Sequence, residues 1–211
     1  MTDPFDKHQF ADQPDYCSNP VKMQARNQIV EAYRKSTGLN FVPKNKNYWT
    51  FCNKQPNIEG SEVVQLVKTG FITKNQFFGV DNDLKGEGII EFNRSCHPEA
   101  NWFQGDWLEV IEDNFELFNP ALVFFDYTKT VVKTSCHIYL ARTMNMCPSK
   151  TVVAANLMLS DGHSSKRFDP KILVESVINY LRDPQEWIVS DHYFSYKSSR
   201  TEMGTFIFTR T

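Results

Sequence analysis

Five times along this chain a short apolar or aromatic run gives way to a stretch of helical periodicity, and then the pattern breaks. The runs are "YWTFC" (48–52), "QFFGVD" (76–81), "ANWFQGDW" (100–107), "PALVFFD" (120–126) and "KTVVAANLML" (150–159). Between and after them lie a segment closed near Gly70, then "GEGIIEFNRSC", "LEVIEDNFELF", "TVVKTSCHIYLARTM" and "DPKILVESVINYLRD". Apolar strands alternating with helices imply a mostly parallel sheet with helices on both faces. The break comes at "EWIVSDHYFSYKS" and "EMGTFIFTR", two strand-like runs joined by a few residues around "SSRT". A parallel crossover needs a dozen residues or more, so these two must pair antiparallel. The expected fold is a three-layer Rossmann-like α/β sheet of about seven strands, mostly parallel, with a C-terminal antiparallel hairpin.

Ahead of the alternation stands one more helix. Asn19 is a good N-cap, Pro20 suits the first turn, and Gly38 stops an apolar spacing set by Val21, Ala25, Ile29, Ala32 and Tyr33. Residues 1–18, with Pro4, Pro14 and four Asp, read as a flexible arm or a lid, leaving 19–211 as one domain. Asp169 and Pro170 mark the start of the last helix in the same way.

Charge and cysteine content exclude several classes. A formal net charge of -2 is not that of a protein held to nucleic acid by electrostatics, although a local basic patch is compatible with it. The five cysteines, Cys17, Cys52, Cys96, Cys136 and Cys147, are odd in number and show no CxxC spacing. They read as reduced thiols of a cytoplasmic protein. His97, His137, His163 and His192 lack metal-ligand spacing. No leader-like segment and no long apolar run suggests secretion or membrane spanning.

Ligands of open α/β sheets bind outside the carboxyl ends of the strands. Three consecutive strands each deliver an acid to that edge: Asp81, Asp106 and Asp126. Any one strand-end Asp is most often a helix cap or an Asx turn. Three together repel unless a ligand or a cation sits among them. Asn82 and Asp83 can serve as the turn formers beside Asp81, and Asp126 is followed by Tyr127 and Thr128, well before the next apolar periodicity.

In these residues the chain resembles the class I (Rossmann-like) S-adenosylmethionine-dependent methyltransferases, over about residues 45–211. The motifs that carry the resemblance are "FFGVD" and "FQGDW" in family order, "LVFFDY" after them, and the terminal hairpin. It implies that S-adenosylmethionine is the cofactor and that Asp81 binds its ribose. Asp106 would read the adenine amine, with Trp107 stacking, and Asp126 and Tyr127 would face the methyl group. Where the family has a glycine-rich loop after the first strand, this chain reads "YWTFCNKQPNIEGSEV", in which only Gly60 remains. Contacts there are expected from Asn53, Gly60 and Glu62, with Asn82 beside Asp81.

The methyl acceptor is left open between a nucleic acid and a small molecule. "DYTK" keeps the acid of the Asp/Asn-Pro-Pro-Tyr motif of amino-methyltransferases but has no proline, and no Pro-Cys nucleophile occurs. A Lys-Asp-Lys-Glu set of the ribose-methylating kind could be drawn from Lys44 or Lys46, Asp126, Lys166 and Glu202. The alternative readings are an inert methyltransferase-fold subunit used for binding or assembly, and a nucleotide-binding enzyme of another Rossmann-like type.

Overall fold

The computed structural model describes residues 20–52, 56–57, 60–84, 86–130, 136–159, 169–190, 194–198 and 201–211, without the side chains at 21, 127–130, 194–198 and 201–202. Helix α1 (Pro20–Thr37) leads into β1 (Asn47–Phe51), α2 (Glu62–Lys68), β2 (Phe77–Asp81), α3 (Ile89–Cys96) and β3 (Asn101–Gln104). Then follow α4 (Trp107–Asp113), β4 (Pro120–Thr130), α5 (Cys136–Met146), β5 (Val152–Met158) and α6 (Pro170–Ile178). The chain ends in β6 (Trp187–Val189), β7 (Phe194–Ser198) and β8 (Thr201–Arg210).

The strands form one sheet in the order β3-β2-β1-β4-β5-β8-β6, with β7 also paired to β8. β1 to β5 run parallel, and β8 is antiparallel to all of its partners. This is the expected architecture with two refinements. The sixth strand comes in two pieces, β6 against 208–210 and β7 against 201–205, both along the same edge of β8. Strand β4 runs to Thr130, four residues past Asp126.

Alternation of side chains divides the core into two layers. Trp49, Val123, Phe125, Val153, Ala155, Phe206 and Phe208 pack against α4, α5 and α6. Tyr48, Phe77, Leu122, Phe124, Val152, Ala154 and Ile207 face α1, α2 and α3. Gly79, in the centre of "FFGVD", belongs to the second set. A Cβ there would lie 2.5 Å from Cζ3 of Trp102 on β3, so only glycine lets the indole cover the strand. Caps behave as their residues dictate: Asp169 Oδ1 accepts from Lys171 N at 2.9 Å and starts α6. The proposed arm, 1–18, lies outside the described residues.

Candidate functional site

The carboxyl edge of the sheet gathers its polar side chains into two groups. The first lies over β2 and β3. Asp81 ends β2 half-buried, and its Oδ1 accepts from Asp83 N at 2.7 Å. Asp83 in turn accepts from the backbone N–H of Glu87 and Gly88 at 2.7 and 2.9 Å, with φ at +41°. Asp83 therefore shapes the turn, as the sequence suggests, and Asn82 beside it is exposed. Gly105 N donates to Asp81 O at 3.0 Å, which draws the β3 turn onto the end of β2. Gly105 has φ +151°, and a Cβ on it would meet Val110 Cγ2 at 3.0 Å. Bare backbone is needed at that turn.

Asp106 caps α4: its Oδ1 accepts from Leu108 N at 2.9 Å. Its Oδ2 accepts from the Tyr139 hydroxyl at 2.9 Å, and that bond is the main reason the phenol is pushed above its ordinary range. Trp107 corrects an expectation. Its ring is 3% exposed, packs at 4.7 Å from Phe125 and 5.1 Å from Phe51, and donates Nε1–H to Thr143 Oγ1 at 2.9 Å. An indole held this way is a wall of the core and has no face left to stack on a ligand.

The second group lies beneath α1. Lys22 and Arg26 stand four residues apart on that helix, so they share a face. Lys22 Nζ is 3.1 Å from Asp126 Oδ2. Asn156 Nδ2 donates to Asp126 Oδ1 at 3.3 Å, and the Thr205 hydroxyl donates to Asn156 Oδ1. Arg26 donates to Gly60 O at 2.7 Å and to Gln65 Oε1 at 3.3 Å, and its Nε is 3.8 Å from Glu62 Oε2. The Tyr48 hydroxyl donates to Glu62 Oε1. A cation in the first turn of a helix opposes the helix dipole, so Asp126 rather than the helix accounts for Lys22.

Burial dominates the protonation of this group. It raises the Glu62 carboxyl above its usual range, against the lowering effect of Arg26 and the Tyr48 hydrogen bond. It also raises the Tyr48 phenol, and the Cys52 thiol with help from Asp81 and Glu62. Cys52 is therefore held as a neutral thiol and is a poor nucleophile.

Of the residues expected to meet a cofactor, Asp81, Asn82 and Asp106 come together at the ends of β2 and β3. Gly60 is buried with its carbonyl taken by Arg26, and Glu62 is 1% exposed, inside its own network. Asn53 and the Tyr127 side chain lie outside the described residues. Lys44 and Lys46 stand ahead of β1, at the amino edge, where Lys46 Nζ is 3.5 Å from Ser149 O. The lysine beside Asp126 is Lys22, from a helix 104 residues away in sequence. Lys166 and the Glu202 side chain lie outside the described residues. His97 is buried, with Nε2 2.9 Å from Pro56 O. Among the described residues no group of three or more His, Cys, Asp or Glu is placed to hold a metal ion. Nor is any helix among them long and apolar enough to cross a membrane.

No protein-family model matches the chain, and neither does any curated protein. Solved structures do. The O-methyltransferase of Bacillus cereus, in complex with SAH, superposes with a TM-score of 0.61 at 12% identity, over 99% of this chain and 89% of that one. TrmN of Thermus thermophilus gives 0.54 at 10%, over 92% of this chain and 53% of that one. Fibrillarin of Aeropyrum pernix, with natively bound S-adenosyl-L-methionine, gives 0.51 at 9%, over 85% and 74%. The chain has the α/β fold of the class I S-adenosylmethionine-dependent methyltransferases.

Proposed function

We propose that this chain binds S-adenosylmethionine along the carboxyl edge and methylates an acceptor placed at Asp126. One observation carries the reading. In a fold shared with proteins crystallised with SAH and S-adenosylmethionine, β2 ends in Asp81, Asp106 follows β3 as the cap of α4, and β4 carries Asp126 in its carboxyl half.

The residues present fit that group. Gly105 keeps bare backbone between Asp81 and Asp106, and Asp81 stays half-buried with a turn N–H supporting one oxygen. Asp81 would hold ribose hydroxyls, with Asn82 beside it, and Asp106 the adenine amine. Asn53 and Gly60 would flank the methionine end, while Glu62 and Trp107 brace the wall from behind. When bound, the sulfonium supplies an electrophilic methyl carbon.

Lys22 and Asp126 favour a hydroxyl as the acceptor, which makes an O-methyltransferase the best-supported activity. A carboxylate can take the hydroxyl proton as the oxygen attacks. An ammonium at 3.1 Å from that carboxylate stabilises negative charge on a nearby oxygen. The same ammonium disfavours an amine acceptor, which gains positive charge as it is methylated. Tyr127, the residue after Asp126, is proposed as the second residue of the acceptor site. Free thiols at Cys52, Cys96, Cys136 and Cys147 suit a reducing cytoplasm.

Calorimetric titration with S-adenosylmethionine and S-adenosylhomocysteine tests the reading. Binding tighter than ~1 mM is expected, weakened by both Asp81→Ala and Asp106→Ala. No heat at that concentration sinks it. The second reading, an inert subunit, is favoured by the glycine-poor loop with Gly60 O committed to Arg26. It predicts that no heat is seen.

A further inference from the structure

Strand β5, "VVAANLM", is apolar except for Asn156, which is 2% exposed. Asn156 is the register partner of Asp126 on β4 and of Thr205 on β8. Three polar side chains thus sit side by side on adjacent strands, all facing α1. The residues two positions earlier in each parallel strand, Phe124 and Ala154, and Ile207 beside Thr205, belong to the apolar layer.

A buried amide must find partners for its N–H and its C=O, and leaving one unmet costs about 1–3 kcal/mol. Here the partners set a direction. An ionised carboxylate only accepts, so Asn156 must present Nδ2 to Asp126. Its Oδ1 then faces Thr205, whose hydroxyl has to donate. Asp126 Oδ1 is held by that amide, while Oδ2 faces Lys22 Nζ at 3.1 Å. The carboxyl plane is fixed from both sides. Apolar residues could fill positions 156 and 205 but would take from Asp126 Oδ1 its amide donor, so the pair serves the carboxylate and not packing alone.

We propose that Asn156 and Thr205 are positioning residues, a two-step hydrogen-bond relay that orients the Asp126 carboxylate toward the acceptor. The role rests on Asp126 being the proton acceptor of the proposed reaction, but the relay itself can be read without a methyl acceptor. The groups facing Asp126 are the Lys22 ammonium, the Asn156 amide and, at longer range, Glu62.

Two measurements test it, on the full chain. The first follows the Asn156 side-chain amide by ¹H–¹⁵N NMR. Thr205→Val, which removes the hydroxyl and keeps the shape, should shift and broaden the pair, and Asp126→Ala should move the Nδ2 protons upfield. Thr205→Ser should restore the wild-type signal. Unmoved resonances in both Thr205→Val and Asp126→Ala overturn the relay, whatever the cofactor titration shows. The second measurement is turnover. Thr205→Val and Asn156→Leu should each lower kcat about tenfold, shift its acid limb to higher pH, and leave the S-adenosylmethionine Kd within about twofold. Thr205→Ser should recover kcat. Unchanged kcat and profile, or a Kd that weakens in step with kcat, overturns the positioning role. A wild-type chain that binds no cofactor sinks the proposed function instead, and the amide signal still reports on the relay.

Discussion

The two ends of the carboxyl edge hold their acids in different ways. At the β2–β3 end, Asp81 and Asp106 accept from backbone N–H groups two residues ahead, and Asp106 also accepts from Tyr139. Beneath α1, Asp126 and Glu62 meet Lys22 and Arg26, two cations on one helical face. The first arrangement is local and leaves each acid near the surface, suited to a ligand rich in hydroxyl and amine donors. The second is long-range, and its Glu62 is buried. It fixes a helix over the sheet and, through Arg26, holds the loop at Gly60 as well.

Breaking this second arrangement should show the largest effect. Arg26→Ala leaves the 1%-exposed Glu62 without its cation and Gly60 O without its donor. Removing one partner of a buried pair costs about 3–5 kcal/mol, read as a lower midpoint in urea. Lys22→Met, at a pair with side chains 12% and 15% exposed, should cost well under half of that. If the two cost the same, the buried and half-buried halves of this arrangement do not differ as described.

Next comes Asp126→Asn. It keeps the shape and loses the proton acceptor, so turnover should fall about 10²–10³-fold, with cofactor Kd within about twofold. Asp81→Ala should do the reverse, weakening cofactor about tenfold in calorimetry, since one charged hydrogen-bonding group contributes about 1.5–3 kcal/mol. A shared loss of Kd in both variants would merge the two ends into one site.

The smallest effect is one of pH. Burial raises the Glu62 carboxyl in the folded chain, so the native state holds that proton to higher pH than the unfolded state does. Its favourable contribution is complete below the unfolded value and is lost as pH rises through the folded one. Glu62→Gln removes this dependence. The variant should therefore gain on wild type in urea midpoints as pH is raised from the acid range toward neutrality.

What was legible in advance follows the same divide. The Asp169–Pro170 start of α6 and the Asp83 turn depend on residues within a few positions, and they are where the sequence puts them. Asp106 is a cap, as a strand-end Asp most often is. Nothing beside Trp107 in sequence reveals that Trp49, Phe51 and Phe125 pack around its ring. Lys44 and Lys46, the lysines drawn into the ribose-methylating set, stand at the opposite edge, ahead of β1. One hint for Lys22 was available: a lysine in the first turn of a helix, against the dipole, calls for an acid elsewhere.

By itself the sequence determined the layers, the parallel direction of β1 to β5, the antiparallel finish and the edge to which the three acids come. Those follow from periodicity and connection length, which are properties of short stretches. Only the tertiary structure decided what each acid meets. Asp126 is joined to Lys22 across 104 residues, and to Thr205 through Asn156 across two sheet registers. Such partners are selected by which strands lie side by side and which helix covers them, and no local pattern encodes that.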